Sequence, residues 1–174
     1  MRIKNIELGH AEAFGQLQME IFQENNFMLV EPDEHKTKLH ELANQVASTD
    51  FLMGADNDQG ELVAFLAAYR GTYRRNRHCA KIVIAVLKDY RRQGIASRLF
   101  AALEEWARKE GVSRLELTVA MNNSAAISCY KTNGFVIEGV RSQSLKINDE
   151  WVDEFYMAKI LELICLYKKK LSKN

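Results

Sequence analysis

Residues 81–103 read KIVIAVLKDYRRQGIASRLFAAL. The stretch opens on a continuous apolar run, 82–87, crosses a polar turn, 88–93, and reaches Gly94. From there Ile95, Leu99, Leu103 and Trp106 recur at helical spacing. A buried strand thus feeds a turn, and the turn feeds the exposed start of a helix. Such a start presents unpaired N–H groups and the positive end of the helix dipole, so it holds an anion. A phosphate is the anion this geometry suits.

Outward from that unit the pattern is mixed. Upstream, a loose alternation of Ile3, Ile6 and Leu8 gives a short first strand over 1–8, which Gly9 ends. A first helix is expected from about 10 to 23, with Phe14, Leu17 and Ile21 on one face. Pro32 marks the start of a second helix, with Asp33 as its cap. Leu39, Leu42 and Val46 form its apolar stripe, and it ends near Ser48. Strands at 51–55 and 61–70 flank the turn sequence DNDQG at 56–60 and pair as a hairpin. The central strand covers about 78–87, and the long helix about 94–110. That helix pairs Glu104 with Arg108 and Glu105 with Lys109, and Gly111 closes it.

Downstream, Leu115, Leu117 and Val119 mark a strand over 112–120. An Asn-capped helix follows over about 123–132 and stops at Asn133-Gly134. A strand over 135–147 is interrupted by Gly139, a candidate bulge, and a last strand runs over 151–160. The Lys-rich tail at 161–174 extends toward a helix. The order β-α-α-β-β-β-α-β-α-β-β predicts one α/β (α+β) domain over 1–174, with a mostly antiparallel sheet. Only the strand–long helix–strand unit must be parallel.

Composition bounds the partners. The 174 residues are 47% hydrophobic and 27% charged, with 24 Lys+Arg against 23 Asp+Glu. A net charge of +1 gives no reason to expect nucleic acid or an anionic membrane. The longest apolar run, 62–69, is short of the roughly 20 residues that span a bilayer. MRIKNIELGH lacks the apolar core of a signal peptide. Cys79, Cys129 and Cys165 form no CxxC pair, so neither a disulfide framework nor a metal site is expected, and a cytoplasmic location is the simplest reading.

The turn Arg91-Arg92-Gln93-Gly94-Ile95-Ala96 is R-x-x-G-x-A. Gly94 lets the backbone approach a ligand, and Ala96 is nearly as small. By itself this is equally a tight strand-to-helix turn with incidental arginines. It lacks both G-x-G-x-x-G and the Walker pattern. Its company is more informative. IAVLKDYRRQGIASRLFAALEEWA is followed by LELTVAMNNSAAISCYKTNGF, in which Asn123, Ala126, Ile127, Tyr130, Gly134 and Phe135 form N-x-x-A-I-x-x-Y-x-x-x-G-F. Together the two segments resemble the GNAT superfamily of N-acetyltransferases, which move acetyl from acetyl-CoA to amines. RRNRHCAKIVIAVL and NDEWVDEFYMAKIL are similar to its small-molecule and amino-acid acetylating branch. The resemblance covers nearly the whole chain, least so its first 50 residues.

The resemblance implies a sheet of about seven strands flanked by about four helices, and acetyl-CoA as cosubstrate. Backbone groups of Ile84, Ala85 and Val86 would take the pantetheine arm as an added strand. N–H groups of Arg91, Arg92, Gln93, Gly94, Ile95 and Ala96 would hold the pyrophosphate. Asn123 would bond the arm or nearby backbone, beside Ala126. Tyr130 would protonate the departing thiolate, as suits a thiol with a pKa of about 8.5. Cys129 adjoins it.

Two departures stand out. Lys88 replaces a common proline. Ala80 stands where many relatives carry a glutamate base. His78, two residues earlier on the same strand face, is a candidate base. Glu20, Glu31 or Glu116 through water are others, and an amine that binds neutral needs none. The connection carrying Arg70, Tyr73, Arg74, Arg75 and Arg77 is either a solvated loop or a contact for the CoA 3′-phosphate, an acidic substrate or RNA. The acceptor implied is a small primary amine such as an amino acid or polyamine. A protein N-terminus, as on a ribosomal protein, is the alternative, and a non-catalytic CoA sensor is a third reading. A nucleic-acid module conflicts with the near-zero net charge. The resemblance also implies a possible homodimer, for which the last strand and tail are the obvious surfaces.

Overall fold

The computed structural model describes residues 1–24, 27–30, 34 and 38–162. Strand β1 (Arg2–Asn5) leads through a 3-10 turn at Leu8–His10 into helix α1 (Ala11–Glu24). Helix α2 (Leu39–Ser48) follows, then the hairpin of β2 (Phe51–Asp56) and β3 (Leu62–Arg70). Strand β4 (Cys79–Val86) runs through a 3-10 turn at Lys88–Tyr90 into helix α3 (Ile95–Glu110). Strand β5 (Arg114–Ala120), helix α4 (Ser124–Thr132), β6 (Val136–Ile147) and β7 (Glu150–Ile160) complete the described chain. No described helix is long and apolar enough to cross a membrane.

The seven strands form one sheet in the order β1-β2-β3-β4-β5-β7-β6. Among the described pairs β4–β5 alone is parallel, as the crossover through α3 requires. Both faces are covered. Phe14 of α1 meets Phe65 of β3 edge-on at 5.1 Å, while Trp106 of α3 lies 5.3 Å from Phe51, on the opposite face. The register carries these faces across the sheet. Ala64, Leu66 and Ala68 lie opposite Val86, Ile84 and Ile82 beneath α3, and Phe65 and Ala67 lie opposite Ala85 and Val83 beneath α1. Ile95, Leu99 and Leu103 supply the buried stripe of α3 as expected, joined by Phe100 and Ala107, while Trp106 is only partly buried. Glu104–Arg108 and Glu105–Lys109 pair on its outer side, at 2.9 and 2.7 Å. Gly111, at φ +71°, closes the helix in the left-handed conformation that its lack of a Cβ permits.

Three expectations need correction. Strand β1 ends at Asn5, and Leu8 sits exposed in the 3-10 turn. Helix α2 starts at Leu39 rather than near Pro32, because the Glu41 carboxylate reaches back to accept the Lys38 N–H at 3.1 Å and fixes the first turn there. Leu39 is therefore a first-turn residue and is exposed, while Leu42 and Val46 are buried as expected. Pro32, Asp33, Glu31 and the tail carrying Cys165 lie outside the described residues. Gly139 does sit at a break in the β6–β7 register, between Ile137 and Gly139.

Candidate active site

Strands β4 and β5 begin side by side and then part. Their pairing is limited to Cys79–Arg114, Ala80–Leu115 and Lys81–Glu116. Beyond that point β4 stays with β3 as far as Val86, and β5 stays with β7 as far as Ala120. The result is a wedge that opens toward the C-terminal ends of both strands. The Leu87 N–H donates to the Val63 carbonyl at 3.0 Å, and the Gly71 N–H to the Cys79 carbonyl at 3.0 Å. These two bonds fix the alternation along β4. Its odd-numbered residues bond to β3, and the backbone groups of Ile84 and Val86 turn into the wedge. Ala85 is the exception among the three residues expected to face a ligand there. It pairs with Phe65, and its N–H and C=O point away from the wedge. An extended ligand carrying amide groups fits this edge as an added strand.

The turn beyond β4 is held from two sides. Glu24, at the end of α1, accepts the Lys88 N–H at 2.8 Å. Asn57, in the β2–β3 turn, donates to the Tyr90 hydroxyl at 3.1 Å and to Glu61 at 2.8 Å, while its carbonyl accepts the Gln59 and Glu61 N–H groups. Neither brace was legible beforehand, because each bridges distant parts of the chain. Within the turn Arg92 (φ +60°) and Gly94 (φ +74°) are left-handed. This folds the backbone so that successive N–H groups and the first turn of α3 face outward as an anion cradle. A helical bond runs from the Arg98 N–H to the Gly94 carbonyl, at 3.2 Å. Arg91 curls back, donating from Nε to the Val86 carbonyl at 2.9 Å, with Glu24 3.9 Å from its Nη2. Arg92, Gln93 and Gly94 are exposed, whereas Ile95 is a core residue, so its share in the cradle is limited to its N–H.

Three residues separate the open end of β5 from the start of helix α4. The Asn123 side chain caps it, accepting the Ala126 N–H at 3.1 Å and leaving its NH2 group to donate elsewhere. One face of α4 presents Tyr130 to α3, its ring 6.3 Å from Phe100 and 6.0 Å from Phe135. Burial, and secondarily the Cys129 thiol, push the Tyr130 hydroxyl well above its ordinary range, so at neutral pH it is a proton donor. The described residues form no hydrogen bond to it. Burial also raises the Cys129 thiol, an effect partly offset by Asn133. A protonated, half-buried thiol is a poor nucleophile.

The structure brings Ile84, Val86, the 91–96 turn, Asn123, Ala126 and Tyr130 to one end of the sheet. It does not bring His78 there. His78 precedes β4 at the closed end of the wedge, exposed, its carbonyl accepting the Ser113 and Arg114 N–H groups at 2.9 and 3.1 Å. Six extended residues, about 20 Å, separate it from Ile84. Sharing a strand face does not amount to sharing a site. Ala80 is 1% exposed and packed in the core. Glu116 sits at the apex of the wedge, bonded to Arg114 at 2.9 Å, and Arg114 also binds Glu138. Glu20 is exposed on α1. The arginine connection likewise lies at the closed end. There Arg70 donates to the carbonyls of Arg77 and Glu110, at 2.6 and 2.7 Å, and so ties the connection to the end of α3. That position is far from the 91–96 turn and does not suit a contact with the CoA 3′-phosphate.

A strand wedge, an anion cradle at a helix start and an aromatic hydroxyl beside them are the features of a family that matches directly. The family model described as acetyltransferase (GNAT) covers residues 13–135. The L-amino acid N-acetyltransferase AaaT of Escherichia coli K12 is 31% identical over 164 residues, 91% of this chain and 96% of that protein. The [ribosomal protein bS18]-alanine N-acetyltransferase of the same strain is 37% identical, but over 75 residues only, 43% of this chain and 51% of that one. Among solved structures, a GNAT-family acetyltransferase from Streptococcus pneumoniae superposes with a TM-score of 0.85 at 26% identity, over 92% of this chain and 98% of that one. The chain belongs to the GNAT acetyltransferase family. It is an N-acetyltransferase, and acetyl-CoA is its cosubstrate.

Proposed function

We propose that the protein transfers the acetyl group of acetyl-CoA to the primary amine of a small molecule, an amino acid foremost, by direct attack. The parting of β4 from β5 after Lys81 carries this reading, since it leaves the Ile84 N–H and carbonyl and the Val86 N–H open to the arm of an acyl-CoA. The relative named for L-amino acids matches along nearly the whole chain, whereas the ribosomal one matches less than half of it.

The cosubstrate supplies an activated thioester. The chain does the rest. N–H groups over Arg91–Ala96 hold the pyrophosphate, with the Arg91 guanidinium beside them. Ile84 and Val86 pair with the pantetheine amides, and Asn123 donates its free NH2 group. A backbone N–H on the wedge side of β4 stabilises the oxyanion that forms when the amine adds to the thioester carbonyl. Tyr130 gives its proton to the sulfur as the C–S bond breaks, and the proton that the nitrogen sheds on becoming an amide passes to solvent, from which Tyr130 is reprotonated. The raised thiol of Cys129 argues against an acetyl-cysteine intermediate.

An acceptor screen with acetyl-CoA, read by release of free thiol, tests the reading. The expected result is turnover with free amino acids and little with peptides bearing ribosomal-protein N-termini. Turnover confined to such peptides would overturn it.

A further inference from the structure

The sheet face away from α3 carries an ion pair that nothing above uses. Beside the wedge, Thr118 of β5 lies opposite Tyr156 of β7, and two residues toward the open end Ala120 lies opposite Glu154. Glu154 in turn lies opposite Arg141 of β6, so all these side chains share one face. Glu154 is 6% exposed, and Arg141 Nη1 lies 3.0 Å from its carboxylate. The arginine itself stays half-exposed, and Tyr156 is 48% exposed. The β6 register breaks again directly after Arg141. Gln143 is left-handed there (φ +51°), and its N–H is held by Asp153 at 2.7 Å. A bulge of this kind re-aims the side chain beside it.

A cross-strand staple on a sheet surface needs no buried acid, and exposed pairs contribute little. Desolvating a carboxylate is costly unless its partners repay it. Here the acid is buried, its partner is open to solvent, and both sit level with the part of β4 that faces the wedge. A half-exposed guanidinium keeps unused donors for a second carboxylate, in the planar fork that such groups favour. The buried acid beside it offers the opposite charge at one bond's distance. A free α-amino acid carries an ammonium and a carboxylate on a single carbon, and so matches both.

We infer that Arg141 and Glu154 form the acceptor's recognition site, Arg141 taking the substrate carboxylate and Glu154 its amine. This assigns specificity for free α-amino acids over amines that lack a carboxylate, and it rests on the small-amine reading above.

The test compares L-alanine and L-leucine with L-alaninamide and L-leucinamide, by calorimetry on the CoA-bound protein and by KM. The wild type should bind the acids more tightly than the amides. Arg141→Met should weaken the acids by about 10- to 100-fold, the loss of one charged hydrogen-bonding partner, and bring them close to the amides. Glu154→Gln, which keeps the shape and a contact to Arg141, should weaken acids and amides alike while the KM for acetyl-CoA stays unchanged. Equal weakening of acids and amides by Arg141→Met, or wild-type binding in Glu154→Gln, would overturn the inference. So would a wild type that takes the amides as readily as the acids, although the small-amine reading would survive. A wild type that acetylates no small amine would remove that reading and this inference together.

Discussion

Tyr130→Phe lowers kcat by about 10²–10⁴-fold, the range expected when a positioned general acid is lost. The substitution removes one oxygen and nothing else. The ring keeps its contacts with Phe100 and Phe135. The hydroxyl has no hydrogen-bonding partner among the described residues, so its loss leaves nothing orphaned and stability should hold. The KM for acetyl-CoA should change little, because the turn and the strand edge are untouched. The effect belongs in kcat, since the proton is needed only as the C–S bond breaks. Burial holds the hydroxyl protonated, which also means that it does not serve as the base. Steady-state thiol release, with a thermal melt to establish folding, makes the measurement. An unchanged kcat in a folded variant would remove Tyr130 from the mechanism.

Phe100→Ala has the larger effect on the fold. Phe100 is 1% exposed, and its ring lies 5.4 Å from Phe135 and 6.3 Å from Tyr130. Emptying such a position costs about 3–5 kcal/mol, from lost transfer energy and a cavity that closes only in part. Set against a total stability of about 5–15 kcal/mol, that is a large share. Denaturant midpoints at constant m-value measure it. The same ring walls Tyr130 against α3, so activity per folded molecule should fall as well. A loss below about 1 kcal/mol would mean that α4 is not anchored through this cluster.

Much of this was legible because it is local. An apolar run, a turn with Gly94 and a 3.6-residue stripe specify β4, the turn and α3 without reference to anything distant. The Asn123 cap and Gly111 stop are local too. The parallel pair followed from the length of the crossover. What was illegible is register. Which β4 backbone groups face the wedge depends on how β3 pairs, and that pairing assigns Ile84 and Val86 to the wedge but turns Ala85 away. Strand face and an imidazole suited to a base point to His78, and distance along the strand removes it. Pro32 is a sound helix-start signal in general, but here the Glu41 bond to Lys38 sets the first turn. Glu154 and Arg141, 13 residues apart, meet only through the β6–β7 pairing, and Asn57 meets Tyr90 only through the hairpin.

Residue-resolved amide hydrogen exchange, with and without acetyl-CoA, tests most directly whether the edge of β4 grips the cosubstrate. Binding should slow exchange at Ile84 and Val86 and leave Ala85, already bonded to β3, unchanged. Protection at Ala85 equal to that at Ile84 and Val86, or at none of the three, would contradict the account.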